Sequence, residues 1–403
     1  MKFSRIVVVS MAILVFSSGV SLASTFYVAT NGDDARSCST AQNIATPKRT
    51  IPSGFGCIAP GDTLLIRGGT YPGINSNNTI IPTGSSWSNA PIISAYPGET
   101  VTLNSGSNLA APSDRGQSEI KYVIFDGIRF QASGGDALSF WGVAHHIRIQ
   151  NCEAFGSWGN LSGINMQNGP AGGGSNEIIN CKVHDNGDMS AGSTSGMVGH
   201  GLYIATSNNL FDRLEVYNNA HYGMQIYCSG CSPSGNIIRN SVFRNNGLYL
   251  EGAGFTIHGT NNQAYNNVSY GNQYGISASG SGHKVHNNTV YGNSTVGLQF
   301  QGTSHVVKNN IIYNNSSLIN DYSSGITLSN NLTSDPQFVD VANGNFALRS
   351  SSPAINAGQA LAEVTTDING VSRPQGGAYD IGAFEYGGTT QTLPPPSNLM
   401  VQQ

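Results

Sequence analysis

Charged side chains are scarce in this chain. Asp and Glu number 22 and Lys and Arg number 18, so that charged residues make up 10% of 403 residues, against roughly 25% in average domains. The formal net charge is −4, and no stretch gathers Lys and Arg into the basic surface that nucleic acids require. We therefore expect no nucleic-acid partner.

Long apolar runs and helical periodicity are also missing. Beyond the first residues no apolar stretch approaches the roughly 18 residues that a membrane span needs, and no apolar pattern keeps a 3.6-residue period beyond a turn or two. We expect no transmembrane segment and few helices.

The N-terminus has the pattern of a secretory signal peptide. Lys2 and Arg5 precede an apolar run from Ile6 to Phe16, and Ser21-Leu22-Ala23 forms a small-residue cleavage site. This pattern predicts that residues 1–23 are removed and that the protein is secreted or associated with the cell surface.

What the chain has in abundance is glycine, with 51 residues, together with a repeat. From position 180 onward it runs NCKVHDN, RLEVYNN, NSVFRNN, NNVSYGN, NNTVYGN and NNIIYNN. The closing asparagines of these units are Asn186, Asn219, Asn246, Asn272, Asn293 and Asn315. Each unit is accompanied by a second short strand that begins with glycine, at Gly163, Gly201, Gly223, Gly254, Gly275, Gly297 and Gly325.

Both strands of the repeat alternate apolar and polar residues, which is typical of strands with one buried face. A unit this short cannot bury that face alone, but stacked units can, with equivalent residues about 4.8 Å apart. Leucine-rich repeats would need L-x-x-L-x-L, and a propeller would need about 40 residues per blade. The sequence predicts an all-β fold, a right-handed parallel β-helix.

The six cysteines suit disulfides in an exported chain. Cys38 and Cys57 share one N-terminal segment, and Cys228 and Cys231 could close a small loop. Cys152 and Cys181 occupy equivalent positions in adjacent repeats and are either bridged or stacked inside.

Aligned second strands place polar and aromatic residues side by side on one outer face, in two or three neighbouring coils. The candidate catalytic residues are His200, Tyr203, His221 and Tyr222, since His and Tyr can transfer protons. The candidate substrate-binding residues are Asn165, Gln225, Tyr227, Arg244 and His258.

The chain resembles the right-handed β-helix proteins related to bacterial pectate, alginate and chondroitin lyases, over nearly its whole mature length. Phe26-Tyr27-Val28-Ala29 and Pro60-Gly61-Asp62-Thr63 are similar to the N-terminal cap of that group. Asp335-Pro336-Gln337-Phe338 and Asp380-Ile381-Gly382-Ala383-Phe384-Glu385 are similar to its closing module. The resemblance implies a cap and first coils over 24–119, repeats over 120–334, a closing module over 335–387 and a Pro/Thr-rich tail over 388–403.

The resemblance implies a polysaccharide substrate, most plainly a polymer containing uronic acid. In a lyase, one group removes the C5 proton of a uronic acid and another protonates the leaving oxygen, and we expect His200 or His221 as base and Tyr203 or Tyr222 as acid. Pectate lyases of the group carry Asn-x-Asp-Asp-Gly, whose acids hold calcium, where this chain has Asn219-Ala220-His221-Tyr222-Gly223. We therefore expect neither a metal nor another cofactor, and we expect a monomer.

Two alternatives remain open. One is a non-catalytic module that binds glycans or serves at the cell surface. The other is a hydrolase, since Gly199-His200-Gly201-Leu202 resembles a segment of the β-helix polygalacturonases, but the paired acids of that chemistry are missing from neighbouring coils.

A second column of outward residues reads Arg129, Glu153, Lys182 and Glu215. Alternating charges at this spacing predict a ladder of cross-strand ion pairs. The functional alternative makes Lys182 a base, but two flanking carboxylates favour its protonated form.

Overall fold

The computed structural model describes residues 23–75, 79–110, 117–159, 161–167, 173–187, 199–248 and 252–387. The predicted tail and, apart from Ala23, the predicted signal peptide lie outside these residues. No helix within the described ranges is long and apolar enough to cross a membrane.

The described chain is built almost wholly from short strands. In the first third these are β1 (Thr25–Val28), β2 (Thr63–Ile66), β3 (Gly69–Pro72), β4 (Ile92–Ala95), β5 (Val101–Asn104), β6 (Ser107–Ala110), β7 (Ile120–Asp126), β8 (Ile128–Gln131) and β9 (Leu138–Trp141). The middle coils contain β10 (Ala144–Gln150), β11 (Glu153–Phe155), β12 (Ile164–Gln167), β13 (Glu177–Ile179), β14 (Lys182–His184), β15 (Leu202–Ile204), β16 (Leu210–Asp212), β17 (Glu215–Tyr217), β18 (Met224–Ile226), β19 (Ile237–Arg239), β20 (Val242–Arg244) and β21 (Ala253–Thr260). The remaining strands are β22 (Gln263–Tyr265), β23 (Val268–Tyr270), β24 (Tyr274–Ser281), β25 (Lys284–His286), β26 (Thr289–Tyr291), β27 (Val296–Thr303), β28 (Val306–Lys308), β29 (Ile311–Tyr313), β30 (Ser317–Ser324), β31 (Thr327–Ser329), β32 (Phe338–Asp340) and β33 (Asn345–Leu348).

Helices are short and peripheral in the described residues. One α-helix spans Ile51–Phe55, and 3₁₀ turns span Thr40–Gln42, Trp87–Asn89 and Val341–Asn343.

The strands stack into three long parallel sheets, as the predicted right-handed β-helix requires. Sheet A runs β1-β2-β4-β7-β10-β13-β16-β19-β22-β25-β28-β31, and sheet B runs from β3 through β5, β8, β11, β14, β17, β20, β23 and β26 to β29. Sheet C runs β6-β9-β12-β15-β18-β21-β24-β27-β30. Each full coil passes through A, then B, then C, so that equivalent residues pair with those of the next coil.

The core lies inside the coils, where the alternate residues of each strand meet. Phe125, Phe130 and Phe140, one from each sheet, are all fully buried. Each such side chain contributes roughly 1.5–3 kcal/mol by leaving water. The apolar-polar alternation of the sequence is therefore the alternation between the interior and the outer faces.

Asparagine stabilises the turns in two different ways. Between sheets A and B it adopts left-handed backbone, with φ of 52° at Asn180, 52° at Asn240 and 54° at Asn266, a conformation that Asn tolerates better than most residues. After sheet B the closing asparagines of the repeat form a ladder of hydrogen bonds between successive coils. Its steps from side-chain Nδ2 to the next Oδ1 measure 3.0, 2.9, 3.1, 3.2 and 2.8 Å along Asn186, Asn219, Asn246, Asn272, Asn293 and Asn315.

The glycines that begin the sheet C strands are required by close packing between coils. A Cβ on Gly201 would come within 2.4 Å of the carbonyl oxygen of Gly223, and one on Gly223 within 2.4 Å of that of Gly254. Gly325 is an exception to the predicted alignment, since the strand after it, β31, belongs to sheet A. In the last coil sheet C is formed by β30, whose Asn320 pairs with Gln299.

The cysteines divide into two disulfides and two thiols. Cys38 bonds Cys57 and Cys228 bonds Cys231. Cys152 and Cys181 are buried and free, and the backbone N–H of Cys152 donates to the Cys181 sulfur over 3.3 Å. Of the two interpretations left open for this pair, the structure favours stacking.

The segment after the last coil packs against the outside of sheet B. Phe338 and Phe346 form a second apolar cluster with Tyr270, Tyr291 and Tyr313 of the coils. Arg373 and Glu385 form an ion pair of 2.8 Å in which neither side chain is exposed. This segment therefore covers a row of tyrosines that would otherwise face water.

Candidate functional site

The outer face of sheet C carries a continuous column of polar side chains. Paired strands place Ser139 beside Asn165, Asn165 beside Tyr203, and Tyr203 beside Gln225. The column continues through Thr256, Ser277, Gln299 and Asn320. All these positions carry hydroxyls or amides. Ser139, Asn165 and Thr256 are buried, so the half-buried members of the column are those that can exchange hydrogen bonds with a polar ligand directly.

All four predicted catalytic side chains meet on this face, and we call them the His–Tyr cluster: His200, Tyr203, His221 and Tyr222. The ring centroid of His200 lies 5.9 Å from that of Tyr203, 5.0 Å from that of His221 and 5.3 Å from that of Tyr222. His221 and Tyr222 are 3.9 Å apart. His200 and Tyr203 belong to one coil and the other two to the next, so the cluster depends on the stacking of coils.

His200 is at the centre of the cluster and is a neutral imidazole. Burial, and next the charge of His221, lower its pKa to about 3. Its Nδ1 is buried with no hydrogen-bond partner among the described residues. An imidazole of this kind can position its neighbours but is a weak base near neutral pH.

Tyr203 keeps its proton more firmly than an ordinary tyrosine. Burial raises the pKa of its hydroxyl, and Tyr227 adds to the effect. A phenol held protonated in this way is suited to donate a proton or a hydrogen bond.

A smaller aromatic pair lies beside the cluster, at the far end of the sheet C strands. Tyr227 and His258 have ring centroids 5.2 Å apart, at right angles. Tyr227 is 37% exposed, and burial lowers the pKa of His258. The pair therefore offers an accessible ring face to a ligand on the same surface.

Asn165 and Gln225 flank Tyr203 in the polar column. The Asn165 Nδ2 donates to Asp136 over 2.8 Å, while its Oδ1 is buried with no partner among the described residues. The prediction did not include Asp136, nor Thr256, whose buried hydroxyl likewise has no described partner. The strand register was the signal that could have identified both, since they lie in the same two columns as His200 and Tyr203.

Arg244 is the one predicted site residue that the structure places elsewhere. It lies at the end of β20 in sheet B, where its guanidinium bonds Glu215 at 2.8 Å and covers the ring of Tyr217 at 4.2 Å. Only the alternation of the sequence suggested an outward side chain there, and alternation does not say which of three outer faces it occupies.

The charged column of sheet B forms the predicted ladder. Arg129 pairs with Glu153, and Lys182 pairs with Glu215 at 3.4 Å. Lys182 is therefore on a different sheet from the His–Tyr cluster and engaged in an ion pair, which removes the structural basis for its alternative role as a base.

The nine strands of sheet C contain no Lys or Arg. The strands themselves therefore offer a ligand hydrogen bonds and aromatic rings rather than cations. This limits how strongly the face can attract a polyanion.

Calcium does not fit the donor set of the His–Tyr cluster. Calcium takes six to eight oxygen ligands, with carboxylates prominent, and the four side chains of the cluster include none. No group of three or more His, Cys, Asp or Glu side chains in the described parts of the chain is arranged to hold a metal ion.

Comparison with known proteins agrees with this architecture. Residues 26–331 match the family described as "Pel9A-like, right handed beta helix region". Pectate lyase L of Paenibacillus polymyxa (strain SC2) is 28% identical over 207 residues, which cover 48% of this chain and 44% of that protein. This chain therefore aligns with less than half the length of that relative.

A solved structure shows the same fold at low identity. The crystal structure of pectate lyase Pel9A superposes with a TM-score of 0.66 at 18% identity, covering 91% of this chain and 97% of the other. The periplasmic alginate epimerase AlgG has a TM-score of 0.49 at 12% identity, covering 68% of this chain and 69% of the other.

Proposed function

Because the chain belongs to the Pel9A-like right-handed β-helix family, we propose that it is a polysaccharide lyase that cleaves a uronic-acid-containing polymer. The observation that carries the proposal is the His–Tyr cluster, in which the rings of three other His and Tyr side chains, from two coils, lie within 5.9 Å of the His200 ring. The reaction is a β-elimination and needs no metal in this form.

The base removes the C5 proton of the uronic acid, and the electron pair forms the C4–C5 double bond. The C4–O bond breaks, and the acid protonates the departing oxygen. His221 is the better base, because the lowered pKa of about 3 makes His200 a poor proton acceptor. Tyr203 is the acid, because burial keeps its hydroxyl protonated.

His200 acts as a positioning residue, with its ring between those of Tyr203 and His221. Gln225 and Asn165, on either side of Tyr203, bind the substrate through their amides. The Gln225 amide donates to the uronate carboxylate and supplies part of the neutralisation that β-elimination requires, whereas the Asn165 Nδ2 already donates to Asp136 and its Oδ1 accepts from a sugar hydroxyl. Tyr227 and His258 extend the binding surface.

The test is product formation on a panel of pectate, alginate and glycosaminoglycans, followed by ultraviolet absorbance of the unsaturated product. His221→Ala and Tyr203→Phe are each expected to lower kcat by about 10²–10⁴-fold on the polymer that is cleaved. Tyr322→Phe is the matched control, because Tyr322 is a 69% exposed tyrosine near the end of the same sheet, and it should leave kcat unchanged.

A non-catalytic glycan-binding module is the second candidate. The observation that favours it is the lack of Lys and Arg in the sheet C strands, since a lyase commonly stabilises the uronate carboxylate with a positive charge. Binding of a glycan without any unsaturated product would select this function over the first.

We propose in addition that the protein is exported. The support is the N-terminal pattern of Lys2 and Arg5 followed by an apolar run and Ser21-Leu22-Ala23. Mass spectrometry of the mature N-terminus tests it, with Ser24 expected as the first residue.

A further inference from the structure

A cavity of about 380 Å³ opens on the outer face of sheet C, near the N-terminal end of the solenoid. It lies between the first coils of the sheet, and its walls include Asn75, Asn108, Gly135, Asp136 and Ser139. Sites for small ligands usually measure roughly 300–1,000 Å³. The volume is therefore suitable for one sugar residue and far larger than a single ion requires.

The unsatisfied polar atoms at this cavity are hydrogen-bond acceptors. The Oδ1 of Asn108, which lines the cavity, is buried with no partner in the described part of the chain. The same holds for the Oδ1 of Asn165, which does not line the cavity but pairs with the lining residue Ser139 and is only 6% exposed. The Asp136 carboxylate already accepts from the backbone N–H of Ser162 at 2.6 Å and from Asn165 Nδ2 at 2.8 Å. Leaving a buried acceptor unpaired is unfavourable, so these atoms favour a ligand that brings donors.

Sugar hydroxyl groups are such donors, whereas a uronate carboxylate brings further acceptors and a negative charge. Among the described residues, no Lys or Arg forms an ion pair with Asp136 that would offset that charge. Burial raises the pKa of its carboxyl, and only hydrogen bonds from Ser162 and Asn165 oppose the shift. An anionic sugar would meet the Asp136 carboxyl and the Asn108 amide oxygen with no compensating Lys or Arg among the residues that line the cavity.

We propose that this cavity is a subsite for an uncharged sugar residue, so that the natural polymer contains neutral sugars near its cleaved linkage. The position of this subsite relative to the cleaved linkage rests on the proposed lyase function. Asp136, Ser162 and His200 occupy equivalent positions in three successive coils, so the cavity lies about 10 Å from the His–Tyr cluster along the axis. A short stretch of oligosaccharide spans that distance, and the substrate is therefore a heteropolysaccharide rather than a homopolymer of uronic acid.

Two variants of the full chain test the subsite, together with one control. Gly135→Phe fills the cavity, because a Cβ on Gly135 would meet no atom within 4 Å. Asn108→Leu removes the unpaired amide oxygen at similar size. Asn320→Leu makes the same change in the same outward column but in the last coil, and thermal unfolding of each variant checks that it is folded.

The measurement is calorimetric titration with neutral β-1,4-galactotetraose and xylotetraose, with tetragalacturonate, and with calcium chloride alone. We expect at least one neutral tetrasaccharide to bind the wild type, and its Kd to rise at least about tenfold in Gly135→Phe and Asn108→Leu. Asn320→Leu should bind like the wild type.

Three results would overturn the subsite: no binding of either neutral tetrasaccharide, binding of tetragalacturonate that both cavity variants abolish, or calcium binding that Asp136→Asn abolishes. The last would identify a cation site instead. A different pair of results would separate the two proposals. If His221→Ala still binds a neutral tetrasaccharide and the wild type forms no unsaturated product from any polymer, the lyase proposal is refuted and the subsite stands.

Discussion

The buried imidazole of His200 should lower the unfolding free energy of the protein as the pH falls. A single substitution of His200 should remove this part of the pH dependence. Its pKa in the folded state is about 3, whereas an unperturbed histidine has a pKa of about 6.5. The unfolded chain therefore binds more protons at this position between those two values. Stability from this residue is present above pH 6.5 and is lost as the pH falls toward 3.

The magnitude follows from the two pKa values. With about 6.5 in the unfolded and about 3 in the folded state, lowering the pH from 7 to 5 costs about 2 kcal/mol of unfolding free energy through this one side chain. His200→Gln cannot be protonated, so this part of the pH dependence should disappear. His283 and His286, whose pKa values are lowered to about 4 by burial, contribute equally to both proteins and cancel in the difference.

Urea unfolding of the wild type and of His200→Gln at pH 7, 6 and 5 measures this effect. We expect the difference in unfolding free energy between the two proteins to shift by about 2 kcal/mol in favour of the variant over that interval. A simple loss of packing would lower the stability of the variant by the same amount at every pH. Parallel curves for the two proteins would therefore refute the argument that His200 is buried and neutral.

Three further predictions concern the ladder, the closing segment and metal independence. Asn246→Ala leaves its ladder partners unpaired on both sides and should lower the unfolding free energy by about 2–4 kcal/mol, measured with urea, whereas the exposed Asn343→Ala should cost less than about 0.5 kcal/mol. Arg373→Met leaves Glu385 buried without its partner and should cost about 3–5 kcal/mol in the same assay, and a cost under 1 kcal/mol would contradict a fully buried pair. A chelator should not reduce unsaturated product from any cleaved polymer, because the His–Tyr cluster has no carboxylate to hold calcium, and recovery of activity by added calcium after chelation would disprove this.

The main features of the fold were predictable because stacking makes the same physical demands on every coil. A buried asparagine that must donate to its copy, and a glycine that must allow a carbonyl to approach, recur visibly in the sequence. The same chemistry misleads at Gly325. This glycine has a left-handed φ of 69° in a turn that enters sheet A, yet the GITL that follows it looks like the start of a sheet C strand. Counting one repeat length of about 22 residues forward from Gly297 leads to β30 instead, which is the strand that continues sheet C.

The candidate site was only partly predictable, because the sequence does not reveal which outer face a side chain occupies. The His–Tyr cluster could be predicted because its members lie at equivalent or nearby positions of two neighbouring sheet C strands. Arg244 also alternates outward, but it lies in sheet B, at the end of β20, and is paired with Glu215. Asp136 was left out of the predicted site because its burial by neighbouring coils and its hydrogen bond from an amide of the next coil are not displayed by a linear pattern.

The one-residue-per-coil arrangement of sheet C has a consequence for how such a surface can evolve. Each added coil lengthens the outer face by about 4.8 Å and inserts one new residue into every column, while coils on either side keep their own contacts. Duplication of a single 21- or 22-residue unit between Asn272 and Asn315 would therefore extend the surface in a discrete step without moving the His–Tyr cluster. In a protein of this kind, duplication can lengthen the surface that contacts a polymer, and point mutation can change the residues of the cluster. The two changes can occur independently.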